Sequence, residues 1–566
     1  MEVLREASVA SEADTTTALP GRVSRIAQWW RLTLPGCWGA VLLAALSFTP
    51  SLLPRGGLLQ GIVCGINAAI GYGLGVLGAW IWRACADRPA RVPDRRAWRI
   101  FAVIAIALLV LMFGLGQYWQ HEIRQLMGVS DYDIALVVAS PLIAVVMFAV
   151  LLLIGRAIRR LYRRLTGLLR HWIGPRAAAA VGWILAACLV YLLVTGVLLQ
   201  GLSNLADKAF SVRDTITEEG VVQPATGLRS GGPQSLVPWD TLGRQGRNFT
   251  GSGPSANDIQ ALVHLPATEP IRAYAGLASA DDTESRAQLA VADLERAGGF
   301  ERASLLVVTT TGSGWVDPAL IDSFEYLSGG DASSVAIQYS YLPSWISYLV
   351  DQSKAREAGR ALFDAVYEHW LALPQDRRPK LYVAGESLGS FGGETAFSGE
   401  YDLRNRTAGT LFVGPPNFNT LFSEFRELRD TGSPEIEPVF KNGRTVRFST
   451  GDVGTVSTQG QPWEGNRVLY LMHPSDPIVW WSPSLLLSKP DWVDEPPGHD
   501  VLDTVWVPFL TFWQITGDLP FSTGVPGGHG HKYTSEQVDA WYAVMRPAAV
   551  SQQALDSVRA MIARAE

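Results

Sequence analysis

The sequence predicts a bundle of about five membrane-spanning α-helices followed by a doubly wound, mostly parallel α/β sheet. Three observations carry that reading. Long apolar stretches are confined to the first two hundred residues, short apolar strands alternate with helical stretches after residue 267, and one of those strands ends in Gly-Glu-Ser-Leu-Gly.

Five stretches are each apolar over a length that can cross a bilayer: about Leu34 to Leu52, Leu58 to Trp82, Ile100 to Trp119, Ile134 to Gly155 and Ala178 to Leu199. Pro50 interrupts the first, so a re-entrant path is the alternative there. Orientation follows from arginine. The connection after the second stretch holds Arg83, Arg88, Arg91, Arg95, Arg96 and Arg99, and the one after the fourth holds Arg156, Arg159, Arg160, Arg163, Arg164, Arg170 and Arg176. Arg124 stands alone after the third, beside Glu122, Asp131 and Asp133. The positive-inside rule then places both arginine-rich connections and the tail 1–30 in the cytoplasm, with the chain beyond the membrane domain (31–203) extracytoplasmic. The first 27 residues are polar and lack an apolar signal core, so the first span is expected to serve as the export signal.

Charge divides the same way. Residues 1–205 carry 19 Arg and no Lys against 9 acidic residues, a net of +10, which leaves −16 on the remainder of a chain whose total is −6. An acidic second half argues against nucleic acid as a partner, because phosphates want a basic face. The four cysteines, Cys37, Cys64, Cys85 and Cys188, all lie in the first half, so the second half is expected to fold without a disulfide.

Residues 204–266 are rich in Gly, Ser, Pro and Asn and read as a linker with irregular wrapping; the α/β domain is assigned to 267–566. Ile271 to Leu277 opens the sheet, and a helix follows over Thr283 to Ala297. Ser304 to Val308, Ser334 to Tyr339, Lys380 to Ala384, Gly409 to Val413 and Val468 to Met472 are five further buried strands. Lys354 to Leu373 reads as an amphipathic helix before the fourth strand of the set, and Thr534 to Met545 as the final helix.

Gly385, Glu386, Ser387, Leu388 and Gly389 close the strand that starts at Lys380. Small residues on either side let neighbouring backbone pass close to a sharp strand-to-helix turn, which leaves the serine hydroxyl exposed at the sheet edge. Ser387 is therefore the candidate nucleophile. It needs a histidine to take its proton and a carboxylate to orient that histidine, and both are expected later in the chain. Asp476, just past a strand in HPSDPIVWW, is the expected acid, with Asp452 and Asp500 as alternatives. The base is His529 or His531 in GGHGHKY, and the sequence does not separate them. Two backbone N–H donors are expected for the oxyanion: the Leu388 amide, and one from TTTGSGW, at Thr310 or Thr311. The chemistry needs no cofactor, and neither a dinucleotide fingerprint nor a zinc-spaced ligand set is evident. Trp315, Trp345, Trp480, Trp481, Trp506 and Trp513 gather near these motifs as core, acyl-pocket or membrane-interface residues.

Taken together, SFTPSLLPR at the first span and TTTGSGW, GESLGSFGGE, HPSDPIVWW and GHGHKY later in the chain resemble the bacterial membrane-bound α/β-hydrolase family called abhydrolase family nine. The resemblance covers the chain after about residue 25. It implies an α/β-hydrolase fold and a serine triad on Ser387, Asp476 and one of His529 and His531, without implying a substrate. The expected function is a carboxylester hydrolase of the cell envelope, lipase-like, acting on lipid or lipid-linked esters through an acyl-enzyme. An envelope acyltransferase using the same acyl-enzyme is the near alternative. A transporter or scaffold with a non-catalytic hydrolase-like module is the alternative of another class. It would want ionisable residues within the spans, and these hold almost none, with Asn67 the main polar exception.

Overall fold

The computed structural model describes residues 32–89, 93–130, 133–350, 352–456 and 461–565. The expected tail 1–30, Arg91, Asp131 and the side chain of Trp345 lie outside the described residues. Each of the five apolar stretches is helical: α1 (Leu34–Leu46), α2 (Gly57–Ala86), α3 (Arg95–Leu126), α4 (Ile134–Leu169) and α5 (Pro175–Leu192). Among the described residues four of them, α2 to α5, are long and apolar enough to cross a membrane, the last taken on to Gly196 through the π-helical turn that follows it. The first, α1, has 13 residues and is about 20 Å long, whereas a crossing needs about 30 Å. It stops because Ser47 and Thr49 turn their hydroxyls onto the carbonyls of Ala44 (2.6 Å) and Leu46 (2.7 Å), and Pro50 cannot continue the ladder. Leu52, expected to end the first span, and Leu53 after it are instead buried against the C-terminal half.

Glycine sets how the bundle packs. A Cβ added at Gly57, Gly61 or Gly65 would lie 2.1, 2.7 and 2.7 Å from the carbonyl oxygens of Leu136, Ser140 and Ala144. The two series advance together by four residues, so α2 and α4 run side by side in the same direction with their backbones nearly touching, as small residues every fourth position allow. Both arginine-rich connections leave from the far end of this pair, away from Gly57. Beyond α5 the chain continues through a π-helical segment, Leu193–Leu199, into the helix Gln200–Asp214.

The C-terminal half is built on seven strands: β1 (Ile271–Ala275), β2 (Ser304–Thr309), β3 (Ala332–Ile337), β4 (Lys380–Glu386), β5 (Gly409–Val413), β6 (Val446–Ser449) and β7 (Arg467–Leu471). They form one parallel sheet in the order β1-β3-β2-β4-β5-β7-β6. Apolar clusters on both faces explain why the strands read as continuous hydrophobic runs. The short edge strand β6 was not among those expected, because the charge of Arg447 masks it. That side chain is buried and donates to the carbonyls of Gly443 (2.6 Å), Val456 and Gln461. Residues 204–266 hold the end of the helix Gln200–Asp214 and two more helices, Gly243–Gly251 and Ala256–Val263, besides irregular chain. A helix at Gln552–Ala565 follows the one expected to be last, which spans Glu536–Met545.

The halves meet at a buried polar joint. Arg55 Nε lies 3.0 Å from Asp518 Oδ1, both side chains fully buried, and Ser51 donates its hydroxyl to Asp518. The Arg55 backbone is held from the bundle side, its N–H donating to Gln120 Oε1 (2.6 Å) and its carbonyl accepting from Arg124 Nη2 (3.0 Å). Leu53 packs against Val525, and Gly517 lies against Val63 of α2. Burial pushes the Asp518 carboxyl up from its ordinary pKa, and the Arg55 guanidinium opposes that shift.

Asp518→Ala leaves the Arg55 charge buried and alone, with an expected loss of about 3–5 kcal/mol. Replacing both partners by apolar residues, Arg55→Met with Asp518→Leu, should cost less than Asp518→Ala, as read by thermal unfolding in detergent. Gly61→Leu should destabilise by roughly 1–3 kcal/mol in the same assay, through collision with the Ser140 backbone.

Candidate active site

β4 lies in the middle of the sheet, between β2 and β5. At its carboxyl end Ser387 takes φ 53° and ψ −124°, and the helix Leu388–Glu394 starts directly after it. A side chain that branches at Cβ would not hold this backbone, and a serine does so only where neighbours enforce it. Here they do: the Ser387 N–H donates to the Val413 carbonyl (2.9 Å), and the Ser387 carbonyl accepts from Ser390 N (3.0 Å) and Ser390 Oγ (2.7 Å). The flanking glycines are obligatory. A Cβ at Gly385 would sit 2.3 Å from the Gly389 carbonyl carbon, and one at Gly389 2.2 Å from the Thr309 carbonyl oxygen.

Asp476 sits past β7 as the cap of the short helix Pro477–Trp480, and its side chain is fully buried. Three donors converge on it. His531 Nδ1 lies 2.6 Å from Oδ2, the Tyr533 hydroxyl donates to the same oxygen at 2.8 Å, and the Ile478 amide donates to Oδ1 at 2.8 Å. The other imidazole nitrogen of His531, Nε2, is buried with no hydrogen-bond partner. The loop holding this histidine is pinned by its own backbone, because His531 N–H donates to the Ser522 carbonyl (2.8 Å). A Cβ at the preceding Gly530 would lie 3.2 Å from Leu53 of the membrane half.

The sequence left His529 and His531 unresolved, and the structure separates their surroundings. His529 Nδ1 is 3.0 Å from Asp500 Oδ2, so two of the candidates, His529 and Asp500, pair with each other and away from Asp476. Asp452, the other alternative acid, is exposed and accepts from Gly454 N within its own loop. His473 stacks on Tyr533 with ring centres 4.1 Å apart. Burial disfavours its charge, yet the Glu536 carboxylate at 3.1 Å and the Gly530 carbonyl at 2.9 Å raise its pKa above the ordinary histidine value.

Ser387 and His531 line one cavity of about 430 Å³, together with Thr311, Trp315, Asp317, Glu386 and Tyr533. A larger groove of about 970 Å³ runs between the helices Thr283–Arg296 and Gln352–Ala372 and contains none of the candidate residues. Leu388 is the first residue of its helix, where an amide has no intrahelical acceptor. The region expected to supply the second donor, Thr310 and Thr311, lies directly after β2. The Thr311 amide is committed to the Trp315 carbonyl (2.9 Å) and the Thr310 hydroxyl to the Ile337 carbonyl (2.8 Å), whereas the Thr311 hydroxyl is buried with no partner.

Three features of the site were not anticipated. Tyr533 holds Asp476, and the only hint was its place in GHGHKY. Ile562 and Ala565 of the helix Gln552–Ala565 close one side of the cavity. Asp317 and Glu386 share a side-chain hydrogen bond beside Ser387; burial raises the Asp317 pKa, while Glu386, Gln537 and the Ala319 amide act the other way. Of the tryptophans, Trp315 faces the cavity, whereas Trp480 is buried against Trp492.

Two family models match the chain. One, described as an alpha/beta-hydrolase family, matches residues 271–558, and the other, described as the N-terminus of that family, matches residues 48–254. No curated protein and no solved structure matches it. The first match takes in the whole sheet and the second takes in α2 to α5 and the joint at Arg55, so the two halves are recognised together: the chain belongs to the alpha/beta-hydrolase family.

Proposed function

We propose that the protein is a membrane-anchored serine hydrolase that cleaves carboxylic esters through an acyl-enzyme. One observation carries the reading: Ser387, held at positive φ just past the central strand, shares a cavity with His531, whose Nδ1 rests on buried Asp476. In this scheme the Ser387 oxygen attacks the acyl carbon while His531 Nε2 takes its proton, and Asp476 fixes the imidazole and balances its charge. The oxyanion is met by the Leu388 amide and the Thr311 hydroxyl. The proton then passes from His531 to the leaving alcohol, and water repeats the sequence to release the acid and restore Ser387.

The membrane half supports a lipid or lipid-linked acyl ester as substrate. The loop carrying His531 is seated on Leu53, close to the start of α2, which keeps the catalytic half at one end of the bundle and within reach of a bilayer surface. With both arginine-rich connections at the other end, the positive-inside rule favours a catalytic half on the extracytoplasmic face of the cell membrane. That inference does not depend on α1, because the second arginine-rich connection and the C-terminal half are separated by one crossing, α5.

Labelling of the detergent-solubilised protein with a fluorophosphonate tests the reading. Ser387→Ala should abolish labelling, and Asp476→Asn and His531→Ala should slow it by roughly a hundredfold or more, while His529→Ala should cost far less. Folded wild type that never labels would remove the hydrolase assignment, and a loss confined to His529→Ala would move the base to that residue. Tyr533→Phe deletes one of the three donors to Asp476 and should lower the rate of p-nitrophenyl ester hydrolysis about tenfold, in proportion to one hydrogen bond.

A further inference from the structure

A second cluster of side chains lies next to the histidine loop and takes no part in the chemistry above. His499, Asp500 and His529 each offer a donor atom, and the three atoms lie within 4.8 Å of one another. Asp500 is fully buried; its Oδ2 accepts from the Ser475 hydroxyl and faces His529 Nδ1 at 3.0 Å, while its Oδ1 is buried without a partner. The His499 and His529 rings are 6.2 Å apart at an angle of 41°. His499 is exposed and His529 partly so, so the cluster opens to solvent on one side and ends on a dry carboxylate on the other.

We infer that these three residues form a binding site for one divalent transition-metal ion of the zinc class. Two imidazole nitrogens and one carboxylate oxygen are the donor set such ions prefer, with the fourth position left to water from the open side. Calcium and magnesium want all-oxygen shells and fit poorly. A hydrogen-bonded pair alone explains His529 on Asp500. It explains neither the convergence of His499 on the same point nor the unpartnered Oδ1, and a cation answers both. The sequence conceals the set because His529 follows Asp500 by 29 residues, far from any usual ligand spacing.

The position gives the ion a role. Ser475 bonds Asp500 and accepts from Gly530 N (2.8 Å), and these residues adjoin Asp476 and His531. A bound ion would tie the chain at 499–500 to the loop at 529–531. Through Ser475 the ion would also steady Gly530, the neighbour of His531.

The test uses the full-length, tag-free protein in detergent, stripped with EDTA and dialysed against zinc chloride, with bound zinc read by mass spectrometry and unfolding by thermal scan. About one equivalent per chain and a rise of about 5 °C in Tm are expected for wild type. His499→Ala, an exposed substitution that spares the fold, and Asp500→Asn should each weaken binding at least tenfold and remove the Tm rise. Wild type that retains less than about a tenth of an equivalent, or variants that bind as wild type does, would overturn the site.

Discussion

The buried pair of Arg55 and Asp518 is the constraint on which the arrangement of the two halves rests. Neither charge reaches water, so each is tolerable only with the other in place, and the geometry that satisfies both leaves little freedom in how the halves dock. The Arg55 backbone is fixed by Gln120 and Arg124 of α3, so the pair transmits the position of the bundle to the helix Leu510–Asp518. The chain that follows that helix carries Ser522, Val525 and then His531. What the membrane half holds in place is thus the same stretch that presents the histidine.

The parallel sheet supplies the complementary constraint. All its strands end at one edge, so β4, β7 and the loop after β2 deliver Ser387, Asp476 and Thr311 to one place although they are separated by up to 165 residues. The positive φ of Ser387 is a local cost that is sustained by close backbone contacts at Gly385 and Gly389, and Asp476 is fixed by three donors from two segments. Rigidity here is distributed over many short contacts, as expected of groups whose mutual geometry matters more than their individual stability.

The elbow was legible in the sequence because its glycines answer to backbone contacts only a residue or two wide, and Asp476 because a carboxylate just past a strand has one edge of the sheet to face. The spans were legible for the same kind of reason, as length and apolarity are local quantities. What stayed hidden depends on contacts between distant segments. Which carboxylate His529 and His531 each meet is such a contact, because only the fold brings Asp500 to the first and Asp476 to the second. The short α1 was obscured by apolar Leu52 and Leu53, which are buried as the sequence suggests but under protein and not in lipid. β6 was obscured by Arg447, a charge satisfied by three carbonyls that no pattern of hydropathy records.

Leu53 beneath Gly530 carries a consequence for modularity. A chain beginning after the bundle would lack the side chain that fills the underside of the histidine loop and the guanidinium that neutralises Asp518, so it would expose an apolar hollow and strand a carboxylate. The α/β half is therefore not a portable cassette that the helices merely tether. Substitutions at Leu53 or Arg55 in the first half are felt in the second, at Gly530 and Asp518.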